Sequence, residues 1–78
     1  MLYEKEDSIR EFEWKNTMIT VCARDIKAVV VHDIQTVQGK EFRVDIIADG
    51  TFTVYSSDNL EEAKKQYKEV VKWWKLWK

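Results

Sequence analysis

The stretch Glu41-Phe42-Arg43-Val44-Asp45-Ile46-Ile47-Ala48-Asp49-Gly50-Thr51-Phe52-Thr53-Val54-Tyr55-Ser56 decides the fold. Apolar and polar residues alternate on both sides of Asp49-Gly50, the pattern of two strands joined by a turn. The loop length fixes which side chains share a face. A two-residue loop at Asp49-Gly50 sets Ile47 opposite Phe52 and Asp45 opposite Val54. Phe42, Val44 and Ile46 then lie on the face opposite to Phe52 and Val54. A three-residue loop, Ala48-Asp49-Gly50, sets Ile46 opposite Phe52 and Val44 opposite Val54, so that all five share one face. A slip of one residue turns every side chain over, so the apolar pattern selects the longer loop. Such a loop is a type I turn followed by a left-handed residue, which places Gly50 at the left-handed position.

Working upstream, Ile26 to Val31 contains Ala28-Val29-Val30-Val31 and is apolar on both faces, which predicts a strand inside the sheet and not at its edge. Gln38-Gly39-Lys40 turns the chain from it into the Glu41 strand. Met18 to Ala23 is rich in β-branched residues and reads as another strand, broken by Arg24-Asp25. Phe12 and Trp14 alternate with Glu11 and Glu13 as in a short strand, and Lys15-Asn16 reads as a turn.

Downstream lies a helix. Asp58 with Glu61 three residues later reads as a capping box. Glu61 and Glu62 cluster at its start and lysines toward its end, as the helix dipole favours. Leu60, Ala63, Tyr67, Val70, Val71 and Trp74 fall on one face, which can cover Phe42, Val44, Ile46, Phe52 and Val54. The predicted fold is α+β: an antiparallel β-meander of four to five strands with one C-terminal helix packed on one face.

Seventy-eight residues are read as a single small domain, with 1–10, mostly charged, open to fraying. A chain this short buries only roughly 60% of the surface its unfolded form exposes. Cys22 is the only cysteine and His32 the only histidine, so neither an internal disulfide nor the usual four-ligand zinc site is expected to staple it. Large side chains (10 aromatics) and oligomerisation are the remaining resources.

Net charge is −1, without the positive excess of a general nucleic-acid binder. It is unevenly spread: residues 1–58 carry 7 Lys/Arg against 11 Asp/Glu, and residues 59–78 carry 6 Lys against 3 Glu. The first residues lack a basic start followed by an apolar run, no apolar stretch has the length of a membrane span, and a lone cysteine fits a reducing compartment. A cytoplasmic protein is expected.

No catalytic signature emerges. With a tight turn at Arg24-Asp25, Cys22 would sit opposite about Lys27 and His32 opposite about Thr17, roughly 17 Å apart at 3.4 Å per residue and far beyond hydrogen-bond reach. Asp33, Asp45 and Asp49 lack metal-loop spacing, and two isolated glycines make no phosphate loop. Neither cofactor nor metal nor small-molecule substrate is expected, and the chain is read as a non-enzyme.

The remaining signal is the C-terminus, Trp73-Trp74-Lys75-Leu76-Trp77-Lys78, with three of the four tryptophans. Trp74 lies on the core stripe and Trp77 at its margin. At about 100° per residue Trp73 lies a quarter turn away and Leu76 nearly opposite. A single sheet cannot cover all of them. Either the helix frays after Trp74 and folds back on the sheet edge, or the segment contacts a protein, most simply a second copy, or it lies on a membrane surface. Lys64, Lys68, Lys72 and Lys75 form a flank that is solvated or contacts phosphate. The candidate interaction surface is Trp73, Leu76, Trp77, Lys72 and Lys75. The outer sheet face, with Arg43, Asp45, Ile47, Thr51, Thr53 and Tyr55, is a second surface that a single helix leaves bare. The expected function is a protein-interaction module that self-associates as a homodimer. Nucleic-acid or membrane-surface binding through the Lys/Trp helix is the alternative.

Overall fold

The computed structural model describes residues 8–77. Alternation and turn chemistry produce five antiparallel strands: β1 (Ile9–Trp14), β2 (Thr17–Cys22), β3 (Ala28–Thr36), β4 (Gly39–Ile47) and β5 (Thr51–Ser57). A single helix, α1 (Leu60–Trp77), follows. The fold is the expected α+β arrangement, with the strands divided between a β1–β2 hairpin and a three-stranded sheet of order β3-β4-β5.

The β1–β2 hairpin closes on Lys15-Asn16, with Trp14 paired to Thr17. Lys15 takes the positive φ of 56° that such a tight loop imposes. A 3-10 turn at Ala23–Asp25 then breaks the chain away from β2. Its first amide donates to Ser8 O at 2.8 Å, so Ser8 is buried and the fold takes in residues 8–10. The rest of the segment read as open to fraying lies outside the described residues.

Three sequence expectations about the sheet are corrected. β3 is an edge strand, because the chain after β2 turns away and leaves β4 in the centre. Its two apolar faces have separate causes: Val29 and Val31 pack toward the helix, whereas Val30 is half covered by side chains of its own sheet. The three-residue loop does set Ile46 opposite Phe52, but Val44 pairs with Tyr55 and not with Val54. A bulge at Val44/Asp45 makes Val54 and Tyr55 together oppose Val44, so both reach the core and Tyr55 leaves the outer face. Gly50, lastly, has no positive φ, because the loop closes by Ala48 N–H donating to Gly50 O at 2.8 Å. The left-handed glycine is Gly39, with φ 126° at the end of the Val37-Gln38 turn.

The helix begins one residue later than the capping box implied. Asn59, not Asp58, is the N-cap: its Oδ1 accepts from the amides of Glu61 at 2.9 Å and Glu62 at 3.2 Å. Ser57 Oγ in turn accepts from Asn59 N–H, holding the cap where β5 ends. The helix runs unbroken to Trp77, so no fold-back after Trp74 occurs. Ala63 and Val70 are wholly buried against Val44, Ile46, Val54 and Val29, and Phe12, Val21 and Ile26 extend this core under the hairpin. Burial contributes roughly 1.5–3 kcal/mol for each large side chain before entropy is counted. Leu60, at the mouth of the helix, is left 37% exposed. No helix among the described residues is long and apolar enough to cross a membrane.

Candidate interaction surface

The last two turns of α1 carry the five residues singled out from the sequence, and the structure separates them by environment. Trp73 is half buried: Phe12 of β1 meets its ring edge-on, with centroids 6.0 Å apart and planes at 77°. Arg10 lies over both rings, its guanidinium carbon 4.8 Å from the Phe12 centroid and 5.7 Å from that of Trp73. The hairpin thus supplies the cover that a single sheet could not. Trp77 is also half buried, while Lys72 and Lys75 are exposed. Leu76 remains 71% exposed.

Arg10, Glu69, Lys72, Trp73 and Leu76 line a shallow groove. Its floor is apolar and its rim carries two cations and one anion. This composition suits an apolar side chain flanked by polar groups. Lys64, Lys68, Lys72 and Lys75 are all exposed along the adjoining flank.

The outer sheet face is organised by two polar clusters that the sequence did not disclose. Trp14, at the hairpin tip, reaches over the sheet and donates its Nε1–H to Ser56 Oγ at 2.8 Å. The Arg43 guanidinium carbon lies 5.2 Å from the Trp14 ring centroid, and Arg43 Nε donates to Glu41 Oε2 at 2.9 Å. That hydrogen bond holds the Glu41 carboxyl below the ordinary glutamate range, with the charges of Arg43 and Lys15 acting in the same direction.

In the second cluster, His32 Nε2 and Asp45 Oδ2 are 2.8 Å apart. Asp45 is only 6% exposed, and its Oδ1 has no hydrogen-bond partner among the described residues. The alternation of β4 puts Asp45 on this face, but its meeting with His32 requires the β3–β4 register, in which His32 opposes Arg43 and Val30 opposes Asp45. His32 lies in mid-strand, with its side chain 44% exposed.

The expected Cys22–Lys27 and His32–Thr17 juxtaposition is corrected: β2 and β3 do not pair, because the 3-10 turn parts them. Cys22 opposes Ile9 in one sheet and His32 opposes Arg43 in the other. Among the described residues no three His, Cys, Asp or Glu side chains converge as metal ligands. Comparison with known proteins found no matching family model, no matching curated protein and no matching solved structure.

Proposed function

We propose that this chain is a small non-catalytic protein-interaction module that self-associates. The observation that supports it is an unfinished sheet. α1 packs on one face of β3-β4-β5, whereas on the other face Ala28, Val30, Ile34 and Ile47 are only half buried by their own neighbours. Apolar surface of this kind on a small domain is typical of a contact face. The groove at Leu76 is a second candidate contact, suited to an apolar side chain of a protein partner. The free thiol of Cys22 is consistent with a reducing, cytoplasmic setting.

Absolute mass by light scattering, at low and high salt, tests the reading. A mass near twice 9.4 kDa that is indifferent to salt is the expected result, because apolar burial carries such contacts. A monomer at every concentration removes self-association. The exposed lysine flank supports a second reading, contact with the phosphates of nucleic acid or anionic lipid. Binding to either that weakens steeply as salt rises would replace the first reading with this one.

A further inference from the structure

Four strand edges have no backbone partner among the described residues: both outer edges of the β1–β2 hairpin and the outer edges of β3 and β5. β1 lies against β5 without bonding to it, which leaves β2 and β3 as the edges to compare. β2 is six residues long and carries no charged side chain, so nothing in it fixes a pairing register. β3 is nine residues long, with four consecutive apolar residues at its start. It also has one charge of each sign placed symmetrically about Val30: Lys27 just before the strand and Asp33 within it. Both are exposed. Asp33 makes only a loose, exposed ion pair with Lys40 at 3.4 Å. Open edges of this length normally carry proline, a bulge or inward-pointing charge as protection. β3 has no proline, and the register shift in this sheet falls between β4 and β5.

The direction of each backbone group follows from the turn. Thr36 and Gly39 flank the two-residue Val37-Gln38 loop and form a mutually bonded pair. Alternating back along β3, Ile34, His32, Val30 and Ala28 bond to β4. The amides and carbonyls of Asp33, Val31 and Val29 point outward.

We propose that this edge pairs antiparallel with the same edge of a second copy, with Val30 on the two-fold axis. The inference rests on the self-association proposed above and names its surface. In this register Val29 opposes the partner's Val31, and Lys27 opposes the partner's Asp33, twice over by symmetry. The pairing supplies about six backbone hydrogen bonds, two for each Val29–Val31 pair and one for each Lys27–Asp33 pair, because Lys27 N–H already donates to Ile47 O at 2.7 Å. A two-fold axis normal to the sheet keeps like faces together, so the register can slip only by moving its centre to another residue. Centring on Val31 sets Lys27 against Gln35 and Val29 against Asp33. Centring on Val29 sets Lys27 against Val31. Either slip loses both ion pairs, so charge complementarity selects Val30. The product is a six-stranded sheet with both helices on one side. The bare face becomes continuous across the axis, joining Ala28, Val30 and Ile47 of each copy.

The test measures mass against concentration, by light scattering and sedimentation, for the wild type, Asp33→Lys, Lys27→Asp, the double swap K27D/D33K and Leu76→Ser. Each single reversal sets like charges opposite each other twice, and is expected to weaken the dimer about tenfold or more. The double swap restores the wild-type mass, and Leu76→Ser leaves it unchanged. Amide exchange gives a reading that needs no substitution: Val29 and Val31 N–H groups slow with rising protein concentration, while the outward amides of β2 do not. A wild-type monomer at every concentration overturns the self-association reading and this edge together. A dimer that resists both reversals but is split by Leu76→Ser overturns the edge alone and leaves the reading standing. A double swap that stays monomeric overturns the register and with it the proposal.

Discussion

The two edges of the three-stranded sheet meet opposite fates. Along β5 the hairpin lies alongside without extending the ladder, and side chains do the joining: Trp14 bonds to Ser56, Arg43 stacks on Trp14, and Phe12 passes beneath to meet Trp73. Along β3 nothing described in the chain intervenes. The difference shows that an edge can be closed without a bonded strand. On that side β1 lies against β5, and a single aromatic finger that carries one hydrogen-bond donor pins the hairpin across the outer face. Among the described residues the β3 edge has no such finger, and the side chains it presents are Lys27 and Asp33 among valines.

Breaking the protected side should have the largest effect. Phe12→Ala removes the ring that joins the hairpin to α1 and is expected to cost about 3–5 kcal/mol. That approaches the whole stability of a domain this size, and the urea midpoint should fall accordingly. A loss under about 1 kcal/mol would show instead that the hairpin unfolds separately from the sheet.

On the open side, His32→Ala leaves the Asp45 carboxylate buried without its partner. The expected loss is about 1–3 kcal/mol, read from the same unfolding curves. Little or no change would mean that Asp45 is solvated by rearrangement of the strand edge.

The finger itself is testable by a double-mutant cycle. Trp14→Phe and Ser56→Ala each remove one end of the 2.8 Å bond, and a coupling of about 1 kcal/mol is expected between them. Additive losses would assign the protection to ring packing alone.

The two glycines sharpen the comparison further. Gly39→Ala at φ 126° should cost about 1 kcal/mol through backbone strain alone, since an added Cβ there has no atom within 4 Å. Gly50→Ala places its Cβ in ordinary contact with the Phe52 ring at 3.5 Å and should be close to neutral in thermal unfolding.

The smallest effect concerns Glu41 beneath the finger. Its folded-state pKa is depressed, so the stability it adds is complete above the ordinary glutamate value of 4.5 and is lost as pH falls through the lowered folded value. Glu41→Gln should flatten the acid limb of the stability–pH curve slightly, with no change near neutral pH.

What could be read from the sequence divides along the range of the interaction. Ile46 opposite Phe52, the helical stripe through Ala63 and Val70, and the turn at Lys15-Asn16 follow from alternation, periodicity and turn chemistry within a few residues. Asn59 and Asp58 are both competent caps, and the choice between them depends on where β5 releases the chain at Ser57. The bulge at Val54 leaves no mark in an alternating run, because both of its residues are apolar enough to face the core. Trp73 looked unpartnered on a wheel drawn for a single sheet. The ring that meets it lies 61 residues earlier, on a hairpin whose position no local pattern reports. The His32–Asp45 pair was hidden for the same reason, since it needs the register of β3 on β4.

The bulge in β5 also bears on how this chain can change length. In a regular strand the loss of one codon inverts every side chain downstream, so core and surface exchange places and the reading of the fold is lost. Between Asp45–Thr53 and Val44–Tyr55 the count is already out by one. Deleting Val54 would give up a buried valine but rejoin the ladder in step, leaving Phe52 and Ser57 on the faces they now occupy. Among strand positions, that is where a single-codon deletion can be inherited as a modest loss of packing instead of a frame error in the sheet.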